Sequence, residues 1–168
     1  MKRTTLFICC FLLIFLLCAC KDKKEDLVEP VNFYYANSEI TFHSDDGVLA
    51  KEMREGASFH GNLSAFLHAY LRGPESSSLE SIIPSDVYLV SCRIEDKTAT
   101  IVLSSQFSTL SGLKLTTACS GLLLTLHDYA DIEILCIQSK GERLDGKDSI
   151  ILSLDDIILT DTTQLPNQ

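Results

Sequence analysis

The chain has 168 residues, 46% of them hydrophobic, with 14 lysines and arginines against 23 aspartates and glutamates, a formal net charge of −9. That length suits one domain with a core of its own. The acidic balance excludes nucleic acid as an expected partner, because binding a polyanion requires a basic surface.

The chain opens MKRTTLFICCFLLIFLLCACKDKK. Lys2 and Arg3 form a short positive region, and residues 6–17 form an uncharged apolar run. A membrane-spanning helix needs about 20 apolar residues, so this run is short for a span and fits a secretory signal. Leu17-Cys18-Ala19-Cys20 resembles the bacterial lipobox, the alternatives being an uncleaved N-terminal anchor or an ordinary secretory signal. In a lipobox the thiol of Cys20 would take a diacylglycerol thioether, and the chain would be cut between Ala19 and Cys20. The two acyl chains of that group suffice for stable anchoring. The expected segments are a signal peptide over 1–19, a lipidated Cys20 with its tether over 20–30, a domain over 31–160 and a polar tail over 161–168. Loss of the signal takes Lys2 and Arg3 with it and moves the formal charge from −9 to −11.

Residues 21–29 (KDKKEDLVE) read as the tether, ended by Pro30. VNFYYA, residues 31–36, is aromatic and β-branched and predicts a strand. Ser44-Asp45-Asp46-Gly47 is a turn signal, with strands predicted on either side at 40–43 and 48–53. Phe59, Leu63, Phe66, Leu67, Tyr70 and Leu71 fall on one helical stripe. Gly73-Pro74 stops that helix, since glycine accepts the left-handed cap and proline cannot continue the turn. Residues 75–85 read as a polar loop.

Residues 87–94 and 98–104 predict a hairpin around Glu95-Asp96-Lys97. In the second strand Ala99, Ile101 and Leu103 alternate with Thr98, Thr100 and Val102. Residues 112–129 predict a second helix, whose stripe runs through Leu115, Cys119, Leu122, Leu126 and Tyr129. IEILCI, residues 132–137, predicts a short strand. GERLDGKD reads as a loop or hairpin, and SIILSLDDIIL as an edge strand or short helical turn. The expected fold class is therefore α+β: two amphipathic helices packed in two layers on one small, mostly antiparallel sheet.

No constellation of reactive side chains emerges, so catalytic, cofactor and metal sites are all expected to be absent. His60 and His68 are eight residues apart, and His127 and Asp128 point to different faces of a helix; His43 stands alone. Asp45-Asp46 and Asp155-Asp156 read as turn or surface acids. Ser120, in TACSGL, lacks the GxSxG pattern and lies within a predicted helix. Asn62-Leu63-Ser64 matches a glycosylation sequon but also falls on a predicted helix. Of the seven cysteines, Cys9, Cys10 and Cys18 leave with the signal and Cys20 is consumed by lipid. Cys92, Cys119 and Cys136 read as buried thiols, with a disulfide between one pair or a reactive thiol as the alternatives.

The order of segments resembles the GerMN domain family of spore-germination and sporulation lipoproteins of the GerM type. The resemblance rests on Lys51-Glu52-Met53-Arg54, Leu71-Arg72-Gly73-Pro74, Ile83-Pro84, residues 98–107 (TATIVLSSQF), residues 122–126 (LLLTL) and Gly141-Glu142-Arg143-Leu144-Asp145-Gly146. It implies a non-enzymatic assembly module of the cell envelope. The expected partners are membrane lipid through Cys20 and an envelope protein, met through a sheet edge or the loop 75–85. A small-ligand lipoprotein is the competing reading and would need a concave, partly apolar pocket.

Overall fold

The computed structural model describes residues 29–38 and 48–157. Ala19, Cys20 and most of the tether lie outside these residues. So do the strand expected at 40–43, the turn at 44–47 and the tail.

Strand β1 (Val31–Asn37) buries Phe33 and Tyr35 on one face and leaves Tyr34 half-buried on the other. It pairs antiparallel with β2 (Leu49–Arg54), with Phe33 opposite Glu52 and Tyr35 opposite Ala50. The strand expected at 48–53 is present one residue later at each end, and its partner among the described residues is β1.

Helix α1 (Leu63–Leu71) starts four residues later than its apolar stripe suggests. Gly61 adopts a left-handed φ of 67°, and the Asn62 side chain accepts from the Ala65 amide at 3.0 Å, a helix-start cap. Phe59 therefore sits in a 3-10 turn (Ala57–Phe59), yet its ring still packs edge-on against Phe33 and Phe66. The end of the helix is as expected: Gly73 has φ +89° and its amide bonds the Tyr70 carbonyl at 3.0 Å.

The segment 75–85 is not an open loop. It contains β3 (Leu79–Glu80), which pairs with the end of β1 at Ala36 and Asn37. The next hairpin is β4 (Leu89–Glu95) and β5 (Thr98–Leu103), closed by Asp96-Lys97 with Asp96 at φ 53°. Glu95 belongs to the strand, opposite Thr98, and the strand begins two residues later than expected. In β5, Ala99, Ile101 and Leu103 are buried, as the alternation predicts.

Helix α2 (Gly112–Ala130) buries Leu115, Cys119, Leu122 and Leu126 and ends at Asp131 in the left-handed region. It carries the chain across to β6 (Ile134–Ser139), which runs parallel to β5. β7 (Ile150–Ser153) then pairs antiparallel with β6. SIILSLDDIIL contains both expected alternatives, since a 3-10 turn (Leu154–Asp156) with a Ser153/Asp156 capping box follows the edge strand directly. Between β6 and β7, Leu144 reaches the core from a bridged turn.

The α+β class with two helices holds, but the strands form two sheets: β2-β1-β3 and β4-β5-β6-β7. The reason lies on the side of β1 away from β2, which β3 covers only at Ala36 and Asn37. Beside Tyr34 the neighbour there is helix side chains: the Tyr34 amide donates to Thr125 Oγ1 at 2.9 Å and Tyr70 Oη donates to the Tyr34 carbonyl at 3.1 Å. Those two bonds satisfy the backbone groups a further strand would have taken. One hydrophobic core runs through both sheets and both helices.

Gly121 makes this closure possible. A β-carbon there would lie 2.9 Å from the Tyr34 carbonyl oxygen and 3.0 Å from Tyr70 Oη. In an exposed helix, Gly→Ala stabilises by about 1 kcal/mol. Gly121→Ala should instead destabilise by about 1–3 kcal/mol, because the methyl group must push the strand off the helix. Urea denaturation of the two proteins reads the sign directly; a stabilised variant would contradict this packing.

Candidate functional site

The most highly charged buried feature sits where β2 meets the end of α1. Glu52 and Arg54 point to the same face of β2, two residues apart, and each side chain is only 10% exposed. Arg54 Nε and Nη2 lie 2.6 and 2.5 Å from Glu52 Oε1. Arg54 Nη2 also donates to the Gly73 carbonyl at 2.8 Å, and Nη1 to the Ala69 carbonyl at 3.4 Å. These are carbonyls at and beyond the helix end, where a cation is favourable. The guanidinium lies 4.7 Å from the Phe33 ring centroid, a cation–π contact. Glu52 Oε2 accepts the amides of Glu75 and Ser76 at 3.0 and 2.8 Å, which pins the chain just after Pro74. The KEMR and RGP segments are thus two halves of one structural joint.

A second polar cluster joins β1 to α2. Asp128 Oδ2 accepts from Asn32 Nδ2 at 2.8 Å and from Tyr34 Oη at 3.0 Å. Burial, with the Asp128 carboxylate beside it, pushes the Tyr34 hydroxyl up to about 12, so it stays a donor throughout the physiological range. Adjacent to it, a shallow cleft of about 820 Å³ opens at the start of β1, bordered by Glu29, Gly56, His60, Asp128 and Tyr129. Its volume falls within the usual range for small-molecule sites. Its polar groups are largely engaged, however: Asp128 as above, and Tyr129 Oη with the Phe59 carbonyl at 2.6 Å. The incoming chain also lies directly on Gly56, where a β-carbon would be 2.1 Å from the Glu29 carbonyl oxygen. Glu29 and Pro30 thus form one wall of the cleft.

The remaining candidates are dispersed. His60 lies exposed in the turn before α1 and His68 is exposed on α1. His127 Nδ1 is 3.1 Å from the Ile132 carbonyl and 3.9 Å from Asp131, while Asp128 faces β1, so the two neighbours do diverge. His43 and Asp45-Asp46 lie outside the described residues. Asp156 is spent on its capping box, accepting the Ser153 amide and hydroxyl at 2.8 Å each. Ser120 lies within α2 and Asn62 caps α1. Among the described residues no three metal-ligating side chains converge, and no helix is long and apolar enough to cross a membrane.

Cys92, Cys119 and Cys136 are free thiols. Only Cys119 is fully buried, and burial pushes its pKa up to about 12. Cys92 and Cys136 are half-buried, against the expectation of buried thiols, because each stands on an outer part of the second sheet: Cys92 on the edge strand β4, Cys136 on the sheet face opposite Leu135 and Ile137.

This architecture is a two-layer α+β domain whose buried charges serve its own joints. The chain belongs to the Germane family, described as "Sporulation and spore germination", whose model matches residues 32–145. That bears out the GerMN resemblance. Among solved structures it is similar to the tandem GerMN domains of the sporulation protein GerM from Bacillus subtilis, with a TM-score of 0.54 and 19% identity over 80% of this chain and 49% of that one. It is also similar to the first GerMN domain of the same protein, with a TM-score of 0.51 and 16% identity over 76% of this chain and 99% of that one. The chain thus spans about half of the tandem protein and one of its domains nearly whole. No curated protein matches this chain.

Proposed function

We propose that this protein is a lipid-anchored envelope protein whose GerMN-type domain is a non-catalytic module for protein assembly. The observation that carries this reading is the fate of its buried charged and polar groups. Glu52, Arg54, Thr125 and Tyr70 all bond within the fold, while among the described residues the outer strands of both sheets have no further strand beside them. Open strand edges support pairing with another chain.

The anchor is Cys20. Nine residues separate it from Pro30, ten Cα steps that at full extension reach about 35 Å. The domain would therefore work within that distance of an extracytoplasmic membrane surface. Expressed in a lipoprotein-processing bacterium, the chain should incorporate labelled palmitate, and Cys20→Ala should abolish the label and release the protein from membranes. Label that persists in the variant would sink the anchor. The assembly role is tested by crosslinking in whole envelopes with the lipidated chain as bait. Recovery of a specific envelope protein is expected, and recovery of none would count against it.

A further inference from the structure

We infer that β4 is a self-pairing edge through which a second copy of this chain adds on, joining two four-stranded sheets into one across a two-fold axis at Ile94. The inference rests on the assembly reading above and names one partner for it. The two-residue turn Asp96-Lys97 makes Glu95 and Thr98 the closing hydrogen-bonded pair of the hairpin. Ser91, Arg93 and Glu95 therefore direct their backbone groups at β5, and Cys92 and Ile94 direct theirs outward. Among the described residues no hydrogen bond is made to those outward groups.

The other edges are less open. On β7 the Ser153 amide is taken by Asp156 at 2.8 Å, β3 is two residues long, and β2 carries the exposed Lys51 at its middle. Lys51 shares its face of β2 with Leu49 and Met53, so a second copy offers no opposite charge there, and an unmatched charge guards against pairing.

The charge pattern of β4 sets the partner and the register. Arg93 and Glu95 share one face and are 65% and 69% exposed. A two-fold axis at Ile94 places Arg93 opposite Glu95 of the second copy, and Glu95 opposite its Arg93. Directly opposed residues of opposite charge attract across an antiparallel pair. The same axis brings Ile94, 36% exposed, against itself on the other face and lets the two Ile94 backbones exchange both hydrogen bonds. Shifting the axis to Arg93 sets arginine against arginine. Shifting it to Cys92 runs the partner into the irregularity between Leu89 and Ser91. A two-fold contact needs a self-complementary surface, and the Ile94 register supplies one.

The test is sedimentation velocity of the full chain in detergent over a range of concentrations, with disulfide trapping of the Ile94→Cys variant. The natural chain should show a monomer–dimer equilibrium, and Ile94→Cys should trap a dimer on mild oxidation. Arg93→Glu should weaken association by about tenfold or more, since it opposes like charges twice. Arg93→Glu combined with Glu95→Arg should restore it, because the exchange keeps the pairing complementary. Monomer at every concentration, or a dimer indifferent to Arg93→Glu, would overturn the inference. Monomers that still capture an envelope protein would overturn self-pairing while leaving the assembly reading intact.

Discussion

Arg54→Ala is expected to lower the unfolding free energy of the domain by about 3–5 kcal/mol, the usual cost of removing one partner of a buried ion pair. The loss is large because the guanidinium is shared. It pairs with Glu52, caps the carbonyl of Gly73 and lies over the ring of Phe33. Its removal leaves the Glu52 carboxylate without its cation at a side chain only 10% exposed. Arg54→Lys should recover little, since one ammonium cannot reproduce the planar fork. Glu52→Gln combined with Arg54→Met should be milder than Arg54→Ala, because it leaves no charge uncompensated. Denaturant titration of the single and double variants gives the coupling. Additive effects would show that the two side chains act separately.

Phe66→Ala should cost a similar amount, about 3–5 kcal/mol, for a different reason. The Phe66 ring is fully buried at the meeting point of three elements. It stacks on Phe33 of β1 at 4.8 Å between centroids and on Tyr129 of α2 at 3.9 Å, and it meets Phe59 edge-on at 5.8 Å. Deleting it removes apolar contact and opens a cavity that rings held from three directions cannot collapse to fill. Leu113→Ala is the control: Leu113 is exposed at the first turn of α2, and a surface change of that kind stays within about 0.5 kcal/mol. Equal effects of the two substitutions would mean that the aromatic cluster is not the core.

The segments that carry the resemblance, KEMR in β2 and RGP after α1, meet in space through the 2.8 Å bond from Arg54 to the Gly73 carbonyl. What looks like a family signature is here a fastening between a strand and a helix end. Such a role explains why the segments suggest no reaction chemistry when read as sequence.

Much of the secondary structure was legible because its causes are local. The alternation of Ala99, Ile101 and Leu103 needs only the two-residue period of a strand, and Gly73-Pro74 needs only the backbone limits of those two residues. The helix start shows where locality misleads. Phe59 continues the apolar stripe of α1, but the Asn62 cap starts the helix only after it. The charged pair Glu52/Arg54 was visible only as part of a motif, since nothing in KEMR states that Gly73 and Ser76 will be its partners.

By itself, then, the sequence determined the two helices, the β4–β5 hairpin and the α+β class, because period, caps and turns act over a few residues. Only the tertiary structure decided that the strands divide into two sheets and that residues 75–85 add a strand to β1. It also decided which buried charges meet. Each of these depends on residues tens of positions apart, brought together by burial of one shared core, and no local pattern encodes which of the available neighbours will satisfy a given backbone or side-chain group.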